Sequence, residues 1–116
     1  MEKQFTRSNT DQRFDSAKYR VRINMEHIVK RHMLPAPKNS SYFLSGNVQE
    51  IYAIIENAYK RPHKRFAHRS KRNHFVFKKK FREQLGVHGI SKSPCYYLTG
   101  IFHITSNTII TAYPTV

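Results

Sequence analysis

Histidine and hydroxyl side chains in two distant segments are the residues of this chain best suited to acid–base chemistry. His27 and His32 lie five positions apart, and Thr111 and Tyr113 alternate in a segment typical of a β-strand. Cleavage of RNA without a metal needs a base for the 2′-hydroxyl proton, an acid for the leaving 5′-oxygen and donors for the charge on the phosphorane. Histidine suits the first two roles because its pKa lies near neutral pH. The alternative for all four residues is a structural role.

The sequence offers few side chains that suit a metal ion. Its seven acidic residues are scattered, whereas a two-metal nuclease site needs several carboxylates that converge on Mg²⁺. The single cysteine, Cys95, excludes an internal disulfide and a zinc site built on paired cysteines. A zinc site at His27 and His32 would need a third ligand from elsewhere. We therefore expect no metal and no cofactor.

Positive charge dominates the chain and predicts a polyanionic partner. Lys and Arg number 21 against 7 Asp and Glu, for a net charge of +14. Residues 60–82 hold eleven of these cations, no acid and several phenylalanines, a pattern that favours nucleic-acid contact over a merely solvated surface. Within this basic segment, Lys78, Lys79 and Lys80 are candidate RNA ligands. The 13% aromatic content predicts a folded chain rather than a disordered basic tail.

Two helices and a C-terminal hairpin are predicted to position these residues. Asn24 is a candidate cap for a helix that extends to about Met33, and Asn47 caps a second helix whose apolar stripe ends before Pro62. On an ideal helix the rings of His27 and His32 point about 140° apart, so they share a pocket only at the end of a short helix.

The C-terminal segments 95–104 and 108–113 are rich in aromatic and β-branched residues and predict two strands. Ser106 and Asn107 suit a two-residue turn between them. That turn fixes the pairing of the two strands and places Thr111 and Tyr113 on one face. The expected partners are Thr105 with Thr108, Ile104 with Ile109, His103 with Ile110, Phe102 with Thr111, and Gly100 with Tyr113. His103 then lies on the opposite face from Thr111 and Tyr113. A strand is also expected at Phe75–Phe77, with the rest of the basic segment a loop or helix.

The order of four segments resembles a family of bacterial toxin ribonuclease domains. These segments are Glu26-His-Ile-Val-Lys-Arg-His32, Lys38-Asn-Ser-Ser-Tyr-Phe43, the helix Ile51–Tyr59 and Ile109-Ile-Thr-Ala-Tyr-Pro114. The family comprises C-terminal domains of contact-dependent inhibition and other polymorphic toxins. Both the EndoU-like members of the barnase–EndoU–colicin–RelE group and the bacterial RNase A-like domains are similar in this order.

The resemblance implies roles for individual residues. It implies a catalytic histidine at His27 or His32, with Thr111 and Tyr113 beside the scissile phosphate. It further implies a phosphate-binding cation at Arg31 or Lys38, and Ser41 matches the Ser or Thr of the family's RNA- or phosphate-binding loop. Where the family has an aromatic residue followed by proline, this chain has Phe43-Leu44, which departs from the pattern of that loop.

Together these observations predict an α+β fold in which N-terminal helices pack on a C-terminal antiparallel sheet, with an arm at 1–22 and a ribonuclease toxin domain at 23–116. The expected function is metal-independent cleavage of bacterial RNA, in particular tRNA, through a 2′,3′-cyclic phosphate. The resemblance implies delivery as part of a larger secreted or cell-surface toxin, action in the target-cell cytoplasm and a cognate, acidic immunity protein. No run approaches the ~18 apolar residues of a membrane span, so no stable membrane association is expected. The alternatives are a non-catalytic basic RNA-binding protein and, with no motif in its support, a DNA-binding module.

Overall fold

Two helices and two β-sheets form the part of the chain that the computed structural model describes, residues 21–116. The predicted α+β class is confirmed. In chain order the elements are β1 (Arg22–Ile23), α1 (Met25–His32), β2 (Tyr42–Phe43), α2 (Val48–Lys60), β3 (Lys64–Ala67), β4 (His74–Lys80), β5 (Gly86–Val87), β6 (Pro94–Cys95), β7 (Tyr97–His103) and β8 (Thr108–Thr115).

The larger sheet has five strands in the order β1-β8-β7-β4-β3. Its neighbours are antiparallel except β1, which runs parallel to β8, so the sheet is mixed rather than purely antiparallel. A smaller antiparallel sheet, in the order β2-β5-β6, was not predicted. Each of its strands is two residues long, too short to show an alternating pattern in the sequence.

Helix α1 forms where the sequence predicts it, and Ile28 is its buried residue. The Asn24 side chain accepts a hydrogen bond from the His27 backbone N–H and caps the helix. Ile28 is fully buried, whereas the adjacent Val29 is 39% exposed. With eight residues, α1 is only about two turns long, and His32 is its last residue.

Helix α2 supplies most of the helical contribution to the core. The Asn47 side chain accepts hydrogen bonds from the N–H groups of the next turn, as the predicted cap requires. Ile51, Ile55 and Ala58 are fully buried. The ring of Tyr59 packs against Phe77 of β4 and Phe102 of β7, so α2 covers one face of the five-stranded sheet. The prediction of helices packed on a sheet is confirmed.

The β7–β8 hairpin forms, but its predicted register is wrong by one residue at Gly100 and by two at Phe102 and His103. Tyr113 pairs with Thr99, and Gly100 pairs with Ala112. Gly100 instead leaves room for the Phe77 ring on the core face, because a Cβ atom at position 100 would lie 2.1 Å from that ring. Two departures from a regular hairpin cause the error. A four-residue loop, 104–107, replaces the two-residue turn, and the pairing shifts between Ile101 and Phe102.

The prediction that Thr111 and Tyr113 share one face survives this correction. Ala112 and Pro114 between and beyond them are buried in the core, so Thr111 and Tyr113 lie on the opposite face. His103 lies on this face too, not on the other side as expected, because it alternates in step with Ile101, the partner of Thr111. We call this face, which α2 does not cover, the open face.

The basic segment also folds differently from the prediction. The expected strand at Phe75–Phe77 extends over the whole of β4, and residues 64–67 form strand β3 rather than a loop or helix. The two strands pair as an antiparallel hairpin at the edge of the sheet. Lys64 and Phe66 lie opposite Lys78 and Val76 and share the open face with them.

The folded domain begins before the predicted boundary. Val21 is buried in the core, and Arg22 pairs with Thr108 of β8, so both residues belong to the domain and not to the predicted arm 1–22. The remainder of that arm, residues 1–20, lies outside the described residues. Between residues 21 and 116, neither helix has the length and apolar character needed to cross a membrane.

Candidate active site

The four residues predicted to carry chemistry come together at one edge of the open face. Strand β1 pairs with β8, and helix α1, which follows β1 directly, therefore lies against β8. His27 Nε2 lies 3.1 Å from Thr111 Oγ1, within hydrogen-bond distance. The ring of His32 stacks on Tyr113 with centroids 5.2 Å apart. The two histidine rings are 5.9 Å apart, edge to face. We call His27, His32, Thr111 and Tyr113 the histidine cluster.

The short length of α1 explains how two histidines five residues apart meet. His27 lies in its first turn and His32 is its final residue. Both rings reach Thr111 and Tyr113 on one face of β8 because the helix ends at His32. A short helix that ends at the site is the condition under which two histidines five residues apart share a pocket. All four side chains of the cluster are half-buried, so each is held in place and remains accessible from solvent.

Hydrogen bonding defines the tautomer of His32. Its Nδ1 lies 2.8 Å from the carbonyl oxygen of Ser41, which only accepts, so Nδ1 carries the proton. In the neutral ring the lone pair is then on Nε2. Burial lowers the pKa of His32; the bond to Ser41 acts against this, and the charges of His27 and Arg31 act with it. A neutral His32 with a free Nε2 lone pair is equipped to take a proton at pH 7.

Tyr113 contributes a neutral hydroxyl. Burial raises the pKa of this phenol above its usual value, so it keeps its proton at physiological pH and can donate a hydrogen bond. Thr111 is the second hydroxyl donor of the cluster. The cluster thus combines a proton acceptor, a second imidazole and two hydroxyl donors on adjacent elements.

Ser41, predicted to bind phosphate, makes two hydrogen bonds within the protein. Its carbonyl oxygen holds His32, and its hydroxyl accepts a hydrogen bond from the Gly89 N–H at 3.2 Å. The loop that contains Ser41 therefore ties α1 to the turn at Gly89. These contacts fix the position of His32 through the Ser41 carbonyl oxygen, and they leave the O–H of Ser41 able to donate, so its predicted contact with phosphate stays a prediction.

The predicted cations occupy three different settings. Arg31 and Lys38 are exposed, in the last turn of α1 and in the loop that follows. Lys78 and Lys80 project from β4 onto the open face. Lys79 lies on the other face, where its Nζ donates to the carbonyl oxygen of Arg61 at 3.0 Å. The three consecutive lysines are therefore not equivalent, and Lys79 is held by the protein.

The other histidines have structural partners. In four of them the Nδ1 atom accepts a hydrogen bond from a backbone N–H, which leaves a proton on Nε2 in the neutral ring. These are His63, His68, His88 and His103. The fifth, His74, lies 2.6 Å through Nδ1 from the carbonyl oxygen of Arg72. The contacts to hydroxyl-bearing residues of β8 distinguish His27 and His32 from this group.

Sequence reasoning missed Lys64, Tyr97 and Thr99 on the open face. Lys64, Lys78, Thr99 and Tyr113 form one row across four strands. Thr99 is 5% exposed, and its hydroxyl pairs with that of Thr115 at 2.8 Å. No signal marked Lys64 as a strand residue, because β3 shows no alternation of apolar and polar side chains.

Among residues 21–116, no group of three or more His, Cys, Asp or Glu side chains is placed to hold a metal ion. No protein-family model, curated protein or solved structure matches the chain significantly. The geometry of the histidine cluster and of the open face is therefore the basis for assigning a function to this chain.

Proposed function

We propose that this chain is a metal-independent endoribonuclease that cleaves RNA by attack of the 2′-hydroxyl on the adjacent phosphate. The observation that carries the proposal is the meeting of His27 with Thr111 and of His32 with Tyr113 at one edge of the open face. Two imidazoles and two hydroxyls are the groups that this reaction needs, and they come from segments more than 70 residues apart in the sequence.

The geometry supports separate roles for the two histidines. His32 Nε2 accepts the proton of the 2′-hydroxyl, because Nδ1–H is engaged with Ser41 and the lowered pKa keeps the ring neutral. The 2′-oxygen then forms a bond to phosphorus, and the bond to the 5′-oxygen breaks. His27, in its protonated form, gives its Nε2 proton to that leaving oxygen. The products are a 2′,3′-cyclic phosphate and a free 5′-hydroxyl.

Hydroxyl groups and cations stabilise the charge that develops on the phosphorane. Thr111 and Tyr113 donate hydrogen bonds to its non-bridging oxygens, and Arg31 adds positive charge from the end of α1. Lys78 lies two strands from Tyr113 in the same row, about 10 Å between Cα atoms, and binds phosphate beside the reacting group.

The biological setting of the proposal comes from the resemblance to toxin domains and from the charge. A net charge of +14 suits a polynucleotide substrate, and we place tRNA first. We propose that the domain is delivered as part of a larger secreted or cell-surface bacterial toxin and acts in the cytoplasm of competitor cells. An acidic immunity protein, complementary to the basic surface, would protect the producing cell.

A non-catalytic RNA-binding protein is the second candidate, and the β3–β4 hairpin favours it. This hairpin carries exposed cations and needs no histidine cluster to bind RNA. RNA binding is expected for both candidates, so affinity alone does not distinguish them. Cleavage does.

The decisive experiment incubates the purified chain with total bacterial RNA in EDTA and follows tRNA and rRNA on a gel. We expect cleavage to persist under chelation and to leave 2′,3′-cyclic phosphate ends. His27→Ala and His32→Ala should each slow it about 10²–10⁴-fold, the usual contribution of general acid–base catalysis. His68→Ala, which removes a histidine outside the cluster and away from the turn that Ser41 contacts, is the matched control and should cleave normally. Loss of cleavage in EDTA with recovery in Mg²⁺ would disprove the mechanism, and no cleavage in either would favour the RNA-binding alternative.

A further inference from the structure

The open face carries a second concave site beside the histidine cluster. A cavity of about 420 Å³ lies at the β3–β4 side of the sheet, within the about 300–1,000 Å³ typical of small-molecule sites. Its lining residues are His63, Lys64, Lys78, Lys80, Tyr97 and Val116. The proposed reaction uses only Lys78 of these residues and does not account for the cavity as a whole.

Positive charge in the cavity is concentrated and uncompensated. Lys64 lies directly opposite Lys78 in the β3–β4 pair, and like charges in that position destabilise a sheet. The single Lys–carboxylate or Arg–carboxylate pair within residues 21–116 joins Lys60 to Glu56, so no described acid neutralises the cavity. An anion bound between these lysines would remove the repulsion.

Backbone contacts fix the histidine at the rim. The His63 N–H donates to the Lys78 carbonyl oxygen at 2.8 Å, and His63 Nδ1 accepts from the Lys80 N–H at 3.0 Å. In the neutral ring the proton is therefore on Nε2, where it is available to a ligand. His63 thus adds a hydrogen-bond donor to the lysines.

An aromatic ring distinguishes this cavity from a simple anion site. Tyr97 is 36% exposed and lies in β7, where it pairs with Lys80 of β4. The Lys80 ammonium lies 6.0 Å from the centre of the Tyr97 ring. A base stacked on the ring would thus have a cation beside it for its phosphate. Rings and cations in this arrangement recognise single-stranded nucleic acid, because every base has a flat face to stack. An acidic peptide would neutralise the lysines but would not stack on the Tyr97 ring.

We infer that this cavity is a nucleotide subsite of the proposed ribonuclease, in which Tyr97 stacks one unpaired base and Lys64, Lys78 and Lys80 hold the adjoining phosphates. Tyr97 lies one strand across and two residues along from Tyr113, about 8 Å between Cα atoms. The nucleotide whose base stacks on Tyr97 is therefore close to the scissile phosphate along the same RNA chain. The inference rests on the proposed function and adds to it that the substrate is single-stranded at this nucleotide.

The test measures binding without cleavage. The probe is a fluorescent, fully 2′-O-methylated RNA hexamer, which lacks the attacking hydroxyl. We expect Tyr97→Ala to weaken its binding about fivefold or more, since stacking on one base contributes about 1–3 kcal/mol. Tyr97→Phe keeps the ring and should bind like the wild type. Tyr96→Ala is the matched control, because Tyr96 is adjacent, equally exposed at 38% and outside the cavity.

Three results would overturn the subsite: equal affinity of Tyr97→Ala and the wild type, equal affinity for the hexamer in duplex form, or displacement of the probe by polyglutamate at equal charge concentration. The last would identify an acidic protein as the occupant. Thermal melts of every variant exclude unfolding as the cause of a loss.

A cleavage assay separates this inference from the proposed function. Tyr97→Ala should slow cleavage of an RNA hexamer and leave unchanged the cleavage of the same hexamer with abasic nucleotides beside the scissile phosphate, because these present no base to stack on Tyr97. Equal slowing of both substrates would overturn the subsite. If neither is cleaved by the wild-type chain, the ribonuclease proposal fails, whereas the binding comparison still decides whether Tyr97 stacks a base.

Discussion

The two edges of the five-stranded sheet present polar side chains in opposite ways. At the β1–β8 edge, His27, His32, Thr111 and Tyr113 are half-buried and contact one another. At the β3–β4 edge, Lys64 and Lys80 are exposed, and no described acid pairs with them. The β1–β8 edge holds its polar groups in fixed positions, whereas the β3–β4 edge presents its lysines to solvent.

This difference corresponds to two requirements of a nuclease. Transition-state stabilisation needs donors that are oriented before the reaction, because orienting them during the reaction costs free energy. Capture of a polyanion needs charge that acts over several ångströms and tolerates many sequences. A purely RNA-binding protein needs the second property alone. If the two edges differ in function as they differ in structure, substitutions at the β8 edge should change the cleavage rate and substitutions at the β4 edge should change RNA affinity.

Removal of the hydroxyls at the β8 edge should have a larger effect than any substitution at the β4 edge. Thr111→Val is nearly isosteric and preserves the strand preference, and Tyr113→Phe keeps the ring that stacks on His32. Each should slow RNA cleavage about 10²–10³-fold, the typical cost of one transition-state donor. The melting temperature should change little, since a hydroxyl hydrogen bond contributes about 1 kcal/mol to stability.

Thr108→Val is the control for these variants. Its hydroxyl donates to the Ser106 carbonyl oxygen at 2.9 Å, at the far end of the same strand, so its loss should leave the cleavage rate unchanged. Wild-type rates for both Thr111→Val and Tyr113→Phe would show that β8 is only structural and that the site assignment is wrong.

A smaller effect, on RNA affinity, is expected at the β4 edge. Substitution of Lys78 and Lys80 together by Gln should reduce the slope of log affinity against log salt by about 1.4 for single-stranded RNA, at about 0.7 per lost phosphate contact. Lys79→Gln should leave the slope unchanged, because Lys79 faces away and donates to the Arg61 carbonyl oxygen. The measurement is binding of a non-cleavable RNA at several salt concentrations. An equal change for Lys79→Gln would indicate that the segment acts through its total charge and not through the open face.

The sequence predicted the β1–β8 edge better than the β3–β4 edge, for physical reasons. Caps such as Asn24 and Asn47 and apolar spacing are local signals, and they located both helices. The meeting of His27 with Thr111 followed from the resemblance, since no local rule brings α1 to β8. The parallel pairing of β1 with β8 does so, and a two-residue strand leaves no sequence pattern.

The register of the β7–β8 hairpin was beyond local prediction. A bulge near Ile110 and the loop 104–107 shift the pairing, and Ser106-Asn107 is a weak turn signal. In the basic segment, Lys and Arg occupy both faces of β3, so the alternation of apolar and polar residues that marks a strand is absent. Tyr97 was overlooked because only the fold places it beside Lys80.

The smallest effect concerns the pH dependence of stability, and it tests how far the β8 edge shields His32 from water. Burial lowers the pKa of this residue in the folded chain below its value of about 6.5 in the unfolded chain. The unfolded state therefore binds the proton more tightly, and stability rises with pH in this range. The contribution is fully present above about pH 6.5 and is lost as the pH falls through the folded pKa.

The comparison variant is His32→Asn, whose side-chain N–H can replace the Nδ1–H bond to Ser41 but does not titrate. The free energy of unfolding in urea should fall more steeply for the wild type than for His32→Asn as the pH is lowered from about 7.5 to about 5.5. The other six histidines are common to both chains, so the difference between the two curves isolates His32. Parallel curves would mean that His32 is solvated like the lysines of the opposite edge, and a neutral base at this position would then have no structural cause.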